Sequence, residues 1–370
     1  MKILVDIGHP AHVHYFKYAI RALEKKGHEF LITTRDKEVT LDLLRRYEFP
    51  FVCTGKNKKG TFNKFLTMVR NDRAIYQEAR RFQPDLFFSF FSPFAAHVGA
   101  LMRKPVIGFT DTEFAKFSIR LTLPFTDHVF TPSTFETDFG PKQIRFKGHM
   151  ESFYLHPNYF QPDDRIWMEL GMEKGEPFSV MRFVSFNAGH DAGETGISEK
   201  AKYEIANLLS NKSRLFISSE DGLPREFEPY RIRVTPDKFH SLLSFAQLYV
   251  GEGITTASES ALLGVPSVLV NTLTTGYIKE HEKNQLVFRY DNAAAALGKI
   301  KELSSGQTDR SLFKERAAKA AQNHIDCTAF LVWVLDEFPK SLEILHRDPS
   351  FQDRFLPQPR LSPVLEPVNK

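Results

Sequence analysis

The chain has 370 residues, of which 42% are hydrophobic and 25% charged, and these fractions are typical of a globular protein with room for two domains. Its net charge of +4 is too small to indicate nucleic-acid binding, and no apolar run reaches the about 18 residues of a membrane-spanning helix. Cys53 and Cys327 form no CxxC motif, which argues against a disulfide framework or a cysteine zinc site. We therefore expect a cytoplasmic protein whose start, "MKILVDIGHP", is a first strand and not a signal peptide.

Short apolar runs alternate with segments of helical period through the first part of the chain. The segments are "KILVDIG", "VHYFKYAIRALEKKG", "EFLITT", "KEVTLDLLRRY", "FVCTG", "DLFFSF", "AAHVGALM", "PVIGF" and "HVFTP". The pattern stops at 145–165 and then resumes with "FSVMRFVSF". Such alternation predicts an α/β protein with two Rossmann-like, doubly wound domains that face a central cleft. We expect domains at 1–155 and 156–340, followed by a loosely held, proline-containing tail at 341–370.

The loop after the first strand, "DIGHPAHVHYF", carries three histidines around a Gly-Pro turn. At the carboxyl edge of the sheet, Gly8 and His9 are candidates for substrate binding, and His12 is a candidate general base because histidine titrates near neutral pH. Each histidine can instead cap or pack the helix, with His14 the best candidate for a structural role. A metal site is disfavoured, since no carboxylate follows closely.

Two further segments of the first half carry charge. "GKNKKGTFNKFLTMVRNDRAIYQEARRF" is basic but lacks a P-loop ending, so it is either a solvated face or a surface that contacts an anionic membrane. In "GFTDTEFAKFSIRLTLP", Asp111 and Glu113 are acid-base or substrate-binding candidates, with Arg120 a further substrate contact. The two carboxylates can alternatively cap the helix that begins there.

In the second half, "SFNAGHDAGETGIS" places Asn187, His190 and Asp191 in a polar loop after a strand, where they either bind substrate or form a flexible surface loop. The segment "GEGITTASESALLGVP" is a strand-to-helix turn. Its glycines and hydroxyls at a helix N-terminus favour a diphosphate, and we assign this role to a set of residues: Gly253, Thr255, Thr256 and Ser258. Glu259 either accepts from a sugar diol or closes a capping box with Thr256.

Together these loops resemble the GT-B glycosyltransferase fold. The chain is similar to an uncharacterised prokaryotic family that resembles both MurG-type glycosyltransferases and non-hydrolysing UDP-N-acetylglucosamine 2-epimerases. The resemblance extends to about residue 340. It is carried by "DIGHPAHVHYF", "TDTEFAKFSIRLTLPFTDHVFTP", "KGHMESFYLHPNYFQPD", "FNAGHDAG" and the strand-to-helix turn.

The resemblance implies that the turn binds the nucleotide diphosphate and that Glu259, in the pattern E-x-x-x-x-G-x-P, binds the ribose. It also implies catalytic roles for three residues: His12, Asp111 and His190. The chain departs from the epimerases in "SFFSPFAAH", which holds no carboxylate, and in "KFSIRL", which lacks their acidic residue. It departs from MurG-like enzymes in "GHPAH", which keeps only part of their glycine-rich first loop.

We therefore predict a metal-independent glycosyltransferase that needs no cofactor and uses a nucleotide-sugar donor, most simply UDP-linked. Its acceptor would be a sugar or lipid-linked group of a cell-surface polysaccharide or glycolipid, with peripheral membrane contact and no nucleic acid. The alternatives are an epimerase acting on the same donor and a nucleotide-sugar-binding protein without catalysis.

Overall fold

A computed structural model describes residues 1–37, 39–56, 61–184, 196–220 and 222–357. Within these ranges the chain forms two parallel sheets flanked by helices. The strands are β1 (Lys2–Ile7), β2 (Glu29–Asp36), β3 (Val52–Lys56), β4 (Leu86–Ser89), β5 (Val106–Phe109), β6 (His128–Pro132), β7 (Gln143–Phe146), β8 (Phe178–Phe183), β9 (Arg214–Ser219), β10 (Leu248–Gly251), β11 (Ser267–Val270) and β12 (Val287–Tyr290). The helices are α1 (Pro10–Glu24), α2 (Thr40–Arg46), α3 (Thr61–Phe82), α4 (Pro93–Leu101), α5 (Lys116–Thr122), α6 (Ser152–Leu155), α7 (Ile166–Glu169), α8 (Glu199–Ser210), α9 (Phe239–Phe245), α10 (Ile254–Leu262), α11 (Gly276–Lys283), α12 (Ala293–Leu303), α13 (Arg310–Ala321), α14 (Cys327–Asp336) and α15 (Lys340–Arg347).

The first sheet has the strand order β3-β2-β1-β4-β5-β6-β7, and all of its strand pairs are parallel. Strands β4 and β5 are buried throughout, as expected for short apolar runs covered by helices on both faces. The order reverses between β1 and β4, so the loops after these two strands border a crevice at the carboxyl edge. The histidine loop is one of these loops.

The second sheet has the order β9-β8-β10-β11-β12 and is also parallel. Its order reverses between β8 and β10. The segment after β8 leads to the predicted loop of Asn187, and the segment after β10 is the turn that begins α10. The prediction of an α/β fold with two doubly wound parallel sheets is confirmed.

The last described helices pack on the first sheet and not on the second. Phe330 and Leu331 of α14 belong to the same buried core as Phe109 of β5, and α15 adds Leu342 and Leu345 to it. The structure thus differs from the predicted tail, which began at residue 341. The apolar residues of α15 are spaced three apart on one helix face, and burying that face holds the segment in place.

The chain crosses between the sheets after β7. The predicted link contains the short helix α6, whose Phe153 and Tyr154 are buried between α1 and α14. The two halves also meet at the start of α11, where Gly276 lies so close to the Thr134 carbonyl that no side chain fits. The site described below therefore has walls from both halves.

None of the helices in the described ranges combines the length and apolar character that a membrane crossing requires. Both cysteines are free thiols, with Cys53 exposed and Cys327 buried. Much of the basic segment forms α3, while residues 57–60 lie outside the described ranges. Its contact with a membrane stays a prediction.

Candidate active site

Helix α10 begins without a side-chain cap. Its N-cap residue is Gly253, and within the described residues no partner accepts from the amides of Ile254, Thr255 and Thr256. Gly253, Ile254 and Thr255 are partly exposed at the carboxyl edge of the second sheet. Free amides at the positive end of a helix dipole favour an anion, and the diphosphate site predicted from the sequence falls on this turn. That role stays a prediction.

Glu259 is not a capping residue. Because α10 starts at Ile254, Glu259 lies in its second turn, and the predicted capping box with Thr256 does not form. Its Oε1 instead accepts from the Tyr154 hydroxyl at 2.5 Å and pairs with His240 Nε2 at 2.8 Å. Burial acts to raise the pKa of Glu259, but the charge of His240 and both hydrogen bonds hold that pKa below its ordinary value.

Ser258 lies deeper than the predicted diphosphate site. It is fully buried, and its hydroxyl contacts Glu151 Oε2 and His281 Nε2, each at 3.0 Å. It therefore helps to hold Glu151 in place and does not face the open end of α10.

Asp111 and Glu151 form a pair of buried carboxyl groups. Burial raises the pKa of Asp111 to about 6, with the Thr112 hydroxyl opposing the shift at 2.9 Å from Oδ1 and Glu113 adding to it. Burial and then the charge of Asp111 raise the pKa of Glu151 well above its ordinary value. At neutral pH Asp111 is therefore mostly ionised, and Glu151 holds a proton more tightly than an ordinary glutamate does.

Tyr15 and Tyr277 border these two carboxyl groups from opposite halves of the chain. Burial and the charges of Asp111 and Glu151 raise the pKa of both phenols well above the ordinary value. The ring centre of Tyr15 also lies 5.9 Å from that of Tyr154, the residue that donates to Glu259. Both phenols remain protonated and can donate hydrogen bonds.

The predicted capping role of Asp111 and Glu113 is not observed, because α5 begins only at Lys116 and has no side-chain cap. Glu113 bridges the two halves: its Oε1 accepts from the Gly276 amide at 3.2 Å and the Glu136 amide at 3.3 Å. Arg120 is exposed on α5 and does not join this group.

The Gly-His loop is largely satisfied by its own contacts. His9 is the N-cap of α1, and its Nδ1 accepts from the Ala11 amide at 3.2 Å. Gly8 leaves no room for a side chain because the Arg35 guanidinium, paired with Asp6 at 3.1 Å, lies against it. His14 is buried, with its ring centre 4.7 Å from that of His240.

His12 stands between this loop and the site, with its ring stacked on Tyr15 at 6.0 Å. Its Nδ1 accepts from the Gly8 amide at 3.2 Å, so the ring proton lies on Nε2. Burial, His9 and Arg35 lower the pKa of His12 well below its ordinary value. The neutral ring therefore presents a donor, which suits an oxyanion better than a hydroxyl that must lose its proton.

Glu252 fastens both ends of the polar loop that follows β8. Its carboxylate accepts from the Val184 amide at 3.0 Å and the Ile197 amide at 2.6 Å. The loop's predicted residues, Asn187, His190 and Asp191, lie outside the described residues. Their roles stay predictions.

Residues 1–276 match the family described as "Protein of unknown function (DUF354)". The chain belongs to this family. An uncharacterised protein of Methanocaldococcus jannaschii is 28% identical over 278 residues, which cover 72% of this chain and 81% of that protein.

Solved structures share the fold of this DUF354 chain at low identity. The UDP-GlcNAc 2-epimerase of Neisseria meningitidis, bound to UDP-GlcNAc, has a TM-score of 0.60 at 12% identity and covers 93% of this chain and 100% of its own. MurG of Acinetobacter baumannii has a TM-score of 0.54 at 15% identity and covers 91% of this chain and 99% of its own. The glycosyltransferase SsfS6 of Streptomyces sp. SF2575, complexed with thymidine diphosphate, has a TM-score of 0.58 at 15% identity. It covers 91% of this chain and 99% of its own. The predicted GT-B architecture and the resemblance to both enzyme groups are confirmed.

Sequence reasoning missed three buried polar residues of this DUF354 site: Glu151, Tyr154 and His240. The first two lie in "KGHMESFYLHPNYF", a segment without helical or strand period, in which the sequence analysis assigned no site residue. His240 interrupts the apolar helix "FHSLLSF". An ionisable residue among mostly apolar neighbours was the available signal for His240, because such a residue needs a partner when it is buried.

Proposed function

We propose that this chain is a glycosyltransferase that moves a sugar from a nucleotide-linked donor, most simply a UDP-sugar, to a hydroxyl of a polysaccharide or glycolipid acceptor. The observation that carries the proposal is the uncapped start of α10, a helix whose Ser258 hydroxyl also donates to Glu151 at 3.0 Å and so packs beside the carboxyl pair of Asp111 and Glu151. Transfer from a diphosphate leaving group requires an anion site near an acid-base site.

The donor diphosphate would accept hydrogen bonds from the amides of Thr255 and Thr256 at the start of α10. Glu259 would bind the ribose through Oε2, since Oε1 is already occupied by Tyr154 and His240 and Oε2 has no hydrogen bond among the described residues. Those two neighbours also keep Glu259 ionised, which strengthens its interaction with a hydroxyl donor.

Asp111 is a better candidate for the general base than His12. Its pKa of about 6 leaves it ionised at neutral pH yet basic enough to take a proton. It would remove the proton of the acceptor hydroxyl while the oxygen attacks the anomeric carbon and the bond to the diphosphate breaks. The Nε2 proton of His12 would stabilise negative charge on an oxygen, and the amides of α10 would stabilise the leaving group.

Epimerisation of the donor is a second candidate, and one observation favours it. The segments "SFFSPFAAH" and "KFSIRL" lack the acidic residues of the epimerases, yet Glu151 supplies a second carboxyl group beside Asp111. Both carboxyl groups have raised pKa values, and removal and return of a proton requires two such acid-base groups.

The donor site is tested by calorimetric titration of the whole chain with UDP and with 2′-deoxy-UDP. We expect wild type to prefer UDP by about 10-fold or more, because the deoxy ligand loses a hydrogen bond to a charged group. Glu259→Ala should bind both ligands equally weakly. Glu199→Ala, which removes an exposed glutamate of α8, is the matched control and should behave as wild type.

Retained preference for UDP in Glu259→Ala would contradict the ribose assignment. Absence of binding of UDP and of UDP-GlcNAc to folded wild type would contradict the whole donor proposal. Given binding, release of UDP only when an acceptor is added supports transfer. Acceptor-free incorporation of deuterium from D₂O into the sugar supports epimerisation.

A further inference from the structure

A second cluster of titratable side chains lies where the chain crosses between the two halves. His149 follows β7 on the outward crossing, Glu280 lies in α11, and His324 lies on the return crossing between α13 and α14. Three distant parts of the sequence thus meet at one point. No motif spacing in the sequence indicates such a group, and no metal site was expected from it.

The three side chains have the geometry of a small ligand set. Glu280 Oε2 is 2.7 Å from His149 Nε2, and Glu280 Oε1 is 3.1 Å from His324 Nε2. These atoms all lie within 4.8 Å of one another. A tetrahedral zinc ion with bonds of about 2.0–2.2 Å holds its ligand atoms roughly 3.3–3.6 Å apart, so small side-chain movements suffice to admit one.

The hydrogen bonds that the cluster makes leave part of it unsatisfied. His149 Nδ1 and His324 Nδ1 are buried and have no partner among the described residues, and the same holds for Nδ1 of the adjacent His281. The ring centres of His324 and His281 lie 4.5 and 4.6 Å from that of His149. A buried imidazole nitrogen without a partner is energetically costly, and the Nε2 atoms beside the Glu280 carboxylate belong to the commonest type of metal ligand.

We propose that His149, Glu280 and His324 bind one divalent transition-metal ion of the zinc type. Two imidazoles and one carboxylate are a known zinc ligand set, and the fourth position would hold water. Glu280 keeps 26% of its side chain exposed, and a surface groove lined by Glu280, Asn284 and Asn323 leads solvent to it. Lys283 and Lys319 also line this groove and would slow the entry of a cation.

Such an ion would tie both crossings of the chain to α11. It would also order the acid pair indirectly, because His149 is two residues from Glu151 and His281 reaches Glu151 through Ser258. We therefore assign the ion a positioning role. The ligands do not touch the start of α10, so metal binding and nucleotide binding can be measured separately.

The test uses the full chain, purified without a polyhistidine tag and treated with EDTA. Titration with Co²⁺, followed by its visible ligand-field bands, and calorimetry with Zn²⁺ should each show one ion per chain. Glu280→Gln and His324→Ala should weaken binding by at least about 100-fold. His128→Gln is the matched control, since His128 lies beside His346 with ring centres 5.6 Å apart but is not part of the cluster.

No saturable binding of either metal to wild type would overturn the proposal. Unchanged binding in Glu280→Gln and His324→Ala would overturn it too, because the ion would then lie elsewhere. Circular dichroism checks that each variant is folded. Should Glu280→Gln fail to fold, His324→Ala and the coordination number reported by the wild-type Co²⁺ spectrum still decide the question.

Discussion

Helices α1 and α10 each follow a strand at the point where the strand order of its sheet reverses, α1 after the first strand of the first sheet and α10 after the third strand of the second. Their first turns differ. At α1, Pro10 has no N–H, the Ala11 amide donates to His9 Nδ1, and the His12 amide donates to the His9 carbonyl at 3.0 Å. At α10, Gly253 provides no cap, and the first amides have no acceptor among the described residues.

The difference shows that the two halves of the chain, although similar in architecture, can serve different roles. The first amides of α1 already have acceptors and are not available to bind an anion. We therefore expect the first half to contribute through side chains such as Asp111 and Tyr15. The first amides of α10 have no acceptor among the described residues, so they can bind an anion through the backbone with little help from side chains. We therefore expect substitutions in the first half to affect turnover and substitutions at α10 to affect binding.

The largest expected effect comes from removing the proposed base. Asp111→Asn should lower turnover by about 10²–10⁴-fold, the usual contribution of a general base, while leaving the affinity for UDP unchanged. Steady-state kinetics and calorimetry on the same protein measure both. Arg120→Gln, an exposed change on the following helix, should affect neither quantity. A loss of UDP affinity in Asp111→Asn would mean that the acid-base site and the nucleotide site are not separate.

The same substitution should stabilise the fold at high pH. The pKa of Asp111 rises from 3.8 to about 6 on folding, so the folded state holds this proton more tightly and loses that advantage as the pH rises through about 6. Asparagine cannot ionise. Asp111→Asn should therefore gain up to about 3 kcal/mol of stability relative to wild type at pH 8, with little difference near pH 4. Thermal unfolding at both pH values checks this, and equal effects at the two would contradict it.

A capping side chain at the start of α10 should provide its first amides with an acceptor, as His9 does in α1. In Gly253→Asp, a carboxylate would occupy the free amides and repel a diphosphate, and we expect UDP binding to weaken by about 30-fold, or about 2 kcal/mol. The Cβ of any residue here lies 3.3 Å from Val184 Cγ1, so Gly253→Ala is the control for steric effects. Similar losses in both variants would show that crowding, and not the cap, is responsible.

The fold was predictable because its signals are local. Unbroken apolar runs such as β4, separated by helical periods, specify a parallel sheet wherever they recur, and the breaks in that pattern located the crossing near residue 150. The docking of α15 on the first sheet was missed because the signal is non-local. Leu342 and Leu345 show that one face is apolar but not which core receives it.

The site was predictable only where a short motif places residues on one turn. The open start of α10 follows from "GEGITT" after a strand, and a glycine at the N-cap is visible in the sequence. The partners of Glu259, by contrast, are 105 and 19 residues away. Glu151 gains its raised pKa only when burial and Asp111 surround it, and no spacing in the chain encodes that meeting.

The smallest effect should come from the cap of α1. His9→Ala removes the acceptor for the Ala11 amide and should cost about 0.5–1 kcal/mol of stability, as for other lost helix caps. Because the amides of α1 are proposed to have no ligand, UDP affinity should stay at the wild-type value. Thermal unfolding and calorimetry measure the two quantities, and His9→Asn, which keeps a capping side chain, is the control. A clear loss of UDP affinity in His9→Ala that His9→Asn restores would mean that both helix starts serve the ligand, and the division between the two halves would fail.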